Sequence, residues 1–189
     1  MLDLALRFLV SQANTHLQKS TGAEVEAVNM GALVDDKGNW VQPGDTLRLA
    51  LFQIEEERTL REPLPERVLV GGRELSLPPP LKLNVIVVAA ARFQQYDQGL
   101  KHLSLLLTFL QAHPLFTPAT HPGLPAGLDR LTAELVSWGP EQLNQMWSCM
   151  GAKHLPSVIY RLRMLWLRDS EPLGSGAPVT TIDTRLHGR

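Results

Sequence analysis

Apolar residues recur at helical spacing over the first twenty positions. Leu2, Leu6, Leu9, Val10, Ala13 and Leu17 share one stripe, which predicts an amphipathic helix. Leu4 and Phe8 lie off that stripe, four apart, and are candidate contacts with a neighbouring subunit. The spacing changes to period two from Glu24 to Val34, which reads as a strand with Val28, Met30, Ala32 and Val34 on one side. Asp35 to Asn39 is a turn cluster. Asp45 to about Glu57 reads as a second strand, with Leu47, Leu49 and Leu51 alternating with Thr46, Arg48 and Ala50. A connection rich in Pro and Gly runs from Pro63 to Pro80. Within it, Arg67–Val70 and Glu74–Leu77 flank Gly71-Gly72 and predict a small hairpin.

Leu81 to Phe93 is the most strand-like stretch. Leu83, Val85, Val87 and Ala89 face one way, and Ile86, Val88 and Ala90 the other. Apolar residues on both faces place such a strand centrally, covered on both sides. Its run of alanines leaves room for a closely packed helix. That helix is predicted from Asp97 to His113, with Leu100, Leu103, Leu106, Leu107 and Leu110 on its apolar face and Pro114 ending it. A loop follows from Thr117 to Gly127, then an alternating strand from Leu131 to Trp138. A third helix begins at Pro140, buries Leu143, Met146, Trp147 and Met150, and is capped by Gly151. The last strand runs from Ser157 to Asp169. Val158, Tyr160, Leu162, Met164 and Trp166 form one face, and Arg161 and Arg163 lie on the other. The expected fold class is α+β. One mixed, mainly antiparallel β-sheet is flanked by an N-terminal helix and two further helices, over residues 1–169. Residues 170–189, rich in Gly, Ser, Pro and Thr, read as an extended C-terminal arm.

Charge removes some functions from the picture. Eighteen Lys and Arg against nineteen Asp and Glu give a formal net charge of −1, without the basic excess that meets nucleic-acid phosphates. No stretch approaches the roughly 20 uninterrupted apolar residues of a membrane span. The first residues do not read as a secretion signal. Cys149 is the only cysteine, so no intramolecular disulfide can form, and a reducing cytoplasm is the default compartment.

The search for catalytic chemistry is mostly negative. The six histidines are scattered, with no paired spacing for zinc, and no cofactor is expected. There is no Gly-rich phosphate loop and no nucleophile elbow. Cys149, beside Trp147 and Met150, is expected to be a buried, inert thiol. A small enzyme with a dispersed site could draw, for example, on His102, His154 and Glu134, and nothing local supports one. The densest charge feature is Glu55-Glu56-Glu57-Arg58, followed by Arg61. Its carboxylates point to both faces of a strand end. It is either a solvated terminus or an intersubunit salt-bridge site, where charges fix register and partner choice.

Several segments, taken in order, resemble one family. They are Ile54 to Arg61, Pro79 to Asn84, Tyr96 to Leu100, Phe109 to Thr117, Glu141 to Ser148 and Gly151 to Leu165. The series closely resembles the cap or tail-terminator proteins of extracellular contractile injection systems, the antifeeding-prophage and virulence-cassette type, over residues 1 to about 169. The resemblance implies a structural subunit and no enzyme. It implies a homo-oligomer, a hexameric ring on the end of the inner tube distal to the baseplate, which stops tube growth and anchors the last layer of the contractile sheath. Its partners would be the inner tube protein and the sheath protein. It would assemble in the cytoplasm into a phage-tail-like particle that is released or retained. Some longer relatives carry a further C-terminal domain, where this sequence has only the short arm. Another phage-tail-like connector, such as a baseplate or tube-initiator adaptor, shares the same physics of ring assembly. The expected contacts are Leu4, Phe8, Glu55, Glu56, Glu57, Arg58, Arg61, Arg161 and Arg163, with Val179, Thr180, Thr181 and Ile182 of the arm. The β-branched run in that arm suits strand addition to a sheath or neighbouring cap subunit.

Overall fold

In the computed structural model the strand β5, Leu81–Arg92, occupies an interior position of the sheet. The structure describes residues 1–22, 26–57, 66–70, 73–77, 81–167 and 174–176, with side chains for 1–22, 26–57 and 81–163. The other elements are α1 (Leu2–Thr21), β1 (Val28–Met30), β2 (Thr46–Glu56), β3 (Glu66–Val70), β4 (Arg73–Leu77), α2 (Tyr96–Ala112), β6 (Leu115–Phe116), β7 (Leu131–Val136), α3 (Pro140–Cys149), β8 (Ser157–Leu167) and β9 (Gly174–Gly176). Six strands form one sheet in the order β1-β2-β5-β8-β7-β6. The β1–β2 pair is parallel and the others are antiparallel. The α+β reading holds: an N-terminal helix, a mixed and mostly antiparallel sheet, and two more helices.

The alternation along β5 divides the core in two. Val85, Val87, Ala89 and Ala91 belong to the larger cluster, with Leu9 and Leu17 of α1 and Leu103, Leu106 and Leu110 of α2. Ile86, Val88 and Ala90 belong to the smaller one, with Met146 and Trp147 of α3 and Leu33. The alanines let α2 approach closely: a Cβ built on Gly99 would stand 3.5 Å from the Cβ of Ala91. Leu100, expected on the buried face of α2, is 43% exposed, while Phe109 takes a core place instead.

Two side chains fix the first sheet edge. Asn14 of α1 is buried. Its Nδ2 donates to the Val28 carbonyl at 2.7 Å, and its Oδ1 accepts from the Val28 N–H at 2.8 Å. Arg48 of β2 donates from Nε to the Ala32 carbonyl (3.1 Å), from Nη1 to Asn29 Oδ1 (2.8 Å) and from Nη2 to the Val41 carbonyl (3.1 Å). That guanidinium explains a departure from the sequence reading. Of the strand expected over Glu24–Val34, Glu24 and Val25 lie outside the described residues, and among the described ones it is regular only at Val28–Met30. Gly31 turns out of the sheet at φ 144°, and the next carbonyl, of Ala32, accepts from the Arg48 side chain. Asp35 then closes the expected turn, its Oδ1 accepting from Lys37 and Asn39 N–H.

Leu51 also departs from expectation. A register shift between Leu51 and Gln53 breaks the alternation, and Leu51 is 46% exposed. A second shift opposite Leu83–Asn84 leaves Met164 out of the β5–β8 ladder, so the uniform alternation expected through Trp166 is interrupted. The predicted hairpin is present as β3 and β4, and β9 adds a third strand to it. Gly22, at φ 69°, and Gly151, at φ 65°, end α1 and α3 in the left-handed conformation that glycine adopts without strain.

Replacing Asn14 with Leu keeps the volume but orphans both backbone groups of Val28. Each orphaned group should cost about 1–3 kcal/mol. Urea unfolding should show a lower midpoint at unchanged slope; a change within about 0.5 kcal/mol, the range of a neutral surface substitution, would contradict this role.

Candidate functional site

The smaller core cluster covers only part of its sheet face. On β5 this face reads Lys82, Asn84, Ile86, Val88, Ala90, polar first and apolar later. Cross-strand register extends the polar part sideways. Asn84 lies opposite Glu55 on β2 and Arg163 on β8, and Arg163 lies opposite Thr132 on β7. One row further on, Ile86 lies opposite Gln53 and Arg161, and Arg161 opposite Glu134. Partners in a ladder share a face. Glu55, Arg161 and Arg163, separate in the sequence, are therefore gathered on one polar field with Glu134 and Asn84.

The field carries both signs and is only partly satisfied. Arg163 Nε lies 2.9 Å from Glu134 Oε2, and Arg161 Nε lies 4.0 Å from Glu55 Oε2. Asn84 Nδ2 donates to Glu57 Oε2 at 2.9 Å. Yet the Nε–H groups of both arginines and Oδ1 of Asn84 are enclosed with no hydrogen-bond partner among the described residues. For Arg163 this means the carboxylate sits close but off the N–H direction, so the contact is ionic. Both ion pairs are partly exposed and contribute little to the stability of one subunit. Enclosed donors and acceptors left over cost free energy until something meets them.

The other expected contacts scatter. Glu56 pairs with Leu83 and so lies on the opposite face of β2 from Glu55, as the strand-end reading required. Leu4 is 44% exposed. Phe8 is 7% exposed and packs edge-on against Phe116 at 5.5 Å between centroids, so its ring is taken up inside the subunit, not offered to a neighbour. Arg58, Arg61, Val179, Thr180, Thr181 and Ile182 lie outside the described residues. Asn84 and Lys82 were missed by the sequence reading, although their alternation with Leu83 and Val85 was visible.

No catalytic constellation forms among the residues named for one. His102 stands on α2 against Phe93, with ring centroids 4.7 Å apart. Glu134 lies on the other side of the sheet with Arg163, and His154 packs edge-on to Trp147. Among the described residues no three His, Cys, Asp or Glu side chains are grouped to hold a metal ion. Cys149 is exposed, against expectation. Met146 and Trp147 take the buried positions of this short helix, and its last residue overhangs the sheet edge.

Two histidines, His113 and His121, pack about Phe8 and Phe116. His121 lies 4.8 Å from Phe116 and 5.7 Å from His113 between centroids. Burial, and secondarily the charge of His113, hold the His121 pKa below its ordinary 6.5. A lowered folded value means that the neutral form is favoured by folding. The stability it contributes is present above pH 6.5 and is lost as pH falls below that, through the depressed folded value. Thermal unfolding between pH 7 and 5 should show this decline, and His121→Gln should flatten it; an identical slope in the variant would refute the assignment.

The fold has known counterparts. A family model described as the Pvc16 N-terminal domain matches residues 2–181. The chain is similar to the sheath/tube terminator of an extracellular contractile injection system, PVC, in its extended state. The TM-score is 0.60 at 16% identity, over 95% of this chain and 64% of that one. It is also similar to the tube-terminating cap of the anti-feeding prophage, with a TM-score of 0.59 at 18% identity, over 92% of this chain and 60% of that one. The chain thus spans less than two thirds of the length of either. No curated protein matches it.

Proposed function

The chain belongs to the Pvc16 N-terminal domain family, and we propose that it is a structural subunit of a contractile injection system, capping the inner tube and holding the last layer of sheath. The observation that carries this reading is the shared fold. The family match spans residues 2–181, and 95% and 92% of the chain are covered by the likeness to two tube terminators. In this reading the subunits close into a hexameric ring. The tube protein meets one surface of the ring and the sheath protein another. The protein has no catalytic role.

The polar field supports the reading on physical grounds. A surface that must recognise one protein partner at a fixed register does so with mixed charges and directed hydrogen-bond groups. Glu55, Glu134, Arg161 and Arg163 supply both signs, and the enclosed Asn84 Oδ1 and arginine N–H groups supply direction. Such a field contributes specificity more than stability, and the apolar core carries the latter. Among the described residues no helix is long and apolar enough to cross a membrane.

Removing the gene from a producing strain should give tubes that are longer and broader in length distribution, with sheath detached at one end. Supplying the chain should restore uniform particles. Supplying Arg161→Glu/Arg163→Glu, checked for native circular dichroism, should fail to do so. Uniform tubes with intact sheath in the deletion strain would overturn the cap reading.

A further inference from the structure

β2 is the longest stretch of open sheet edge in the described structure. It runs eleven residues, Thr46–Glu56, but β1 pairs only with Leu47 to Leu49. The last contact is the Gly31 N–H to the Leu49 carbonyl at 3.1 Å, after which the chain turns away to Arg48. From Ala50 to Glu56 no described strand pairs with the outer side of β2. Open edges are templates for an added strand, and proteins normally cover, shorten or charge them. This one lies in an apolar groove of about 520 Å³. Leu6 and Leu49 stand on one side of it, and Leu33, Phe52, Cys149 and Met150 on the other. Leu51 and Ile54 are 46% and 44% exposed along the same edge. An added strand would therefore meet apolar surface on both of its faces near Ala50–Phe52 and carboxylates at Glu55 and Glu56.

We infer that the C-terminal arm of a neighbouring copy fills this groove, continuing the row of β1 as a strand parallel to β2. Thirteen residues follow Gly176, enough to extend about 43 Å at roughly 3.3 Å per residue. The open edge from Ala50 to Glu56 needs about 23 Å at the same rise. The arm sequence fits in one direction. Val179, Thr180, Thr181 and Ile182 place a β-branched side chain on each face, suited to a groove apolar on both sides. Arg185 follows three residues later. With Val179 beside Ala50 in parallel register, Arg185 falls beside Glu55 and Glu56.

Direction also selects the donor. β9 pairs with β4, whose chain enters β5 at Leu81, close to the Leu83 that pairs with Glu56. A subunit's own arm would reach its groove from the Glu56 end and run antiparallel to β2. With Val179 beside Glu56, that direction would set Thr180 beside Glu55 and Arg185 beside Ala50, at the apolar end. An arm from another copy is not tied to the Glu56 end, and entering at the apolar end it pairs both segments. Each copy then donates one arm and accepts one, a head-to-tail contact of the kind that closes rings. The inference concerns contact between copies and stands whether or not the ring sits on a tube.

Cys149, exposed at the groove rim, is a native probe. Thr181→Cys in the full-length chain places a second thiol on the arm position that the register sets beside Phe52. Isotopically heavy and light chains are mixed, assembled over a wide concentration range and treated with a short bis-maleimide, and the link is mapped by mass spectrometry. The expected product joins the introduced thiol of one chain to Cys149 of the other isotope. It should be lost with Leu51→Asp, a substitution at an exposed position that leaves the core intact. A link confined to chains of one isotope, or no link between these two thiols at any concentration, overturns the inference. Neither result bears on tube length, so this failure is distinguishable from failure of the cap reading.

Discussion

Burial of β5 on both faces is the constraint from which the rest of the fold follows. A strand with Val85, Val87 and Ala89 on one side and Ile86, Val88 and Ala90 on the other cannot face water anywhere along that stretch. It must sit between two strands and two layers of helix. β2 and β8 provide the neighbours, α1 with α2 one cover, and α3 with the Leu33 segment the other. The small side chains at Ala89, Ala90 and Ala91 bring those covers close, and interior packing then leaves little freedom in where each helix lies.

The same strand changes character toward Leu81, where Lys82 and Asn84 replace apolar residues on the α3 side. α3 is only ten residues long and covers the apolar part alone. What remains is a field of carboxylates, arginines and an amide, held at fixed spacing by the ladders of a rigid sheet. Charges on such a platform are costly to bury singly but discriminate well between partners. The open edge of β2 borders this field at Glu55, so the apolar groove along that edge and the polar field adjoin. A subunit with contacts to make in several directions has reason to keep them on rigid strands and off its loops.

Much of this was legible in the sequence, because the signals were strong and local. The double-faced alternation of Leu81–Phe93 placed the central strand. Pro140 and Gly151 bounded the third helix, and Gly71-Gly72 marked the hairpin. The misses share one cause, interactions between segments distant in the chain. Nothing near Ala32 announces that its carbonyl accepts from the Arg48 side chain as the chain leaves β1. Leu51 looked like a core residue, and it keeps its place opposite Val87, but β1 ends at Met30 and leaves it exposed at the sheet edge. Phe8 looked spare because its partner, Phe116, lies on a two-residue strand too short to read. The polar field was half legible: Arg161 and Arg163 were placed on the right face, but only cross-strand register shows that Glu55, Asn84 and Glu134 join them.

The central claim is positional, that this chain ends a tube. The most direct measurement is cryo-electron microscopy of intact particles purified from a strain producing the chain, with the terminal layers reconstructed separately from the shaft. The account predicts six copies of this fold closing the end of the tube distal to the baseplate, in contact with the last sheath layer. Density for the fold at the baseplate, or an end layer built of some other chain, would contradict it.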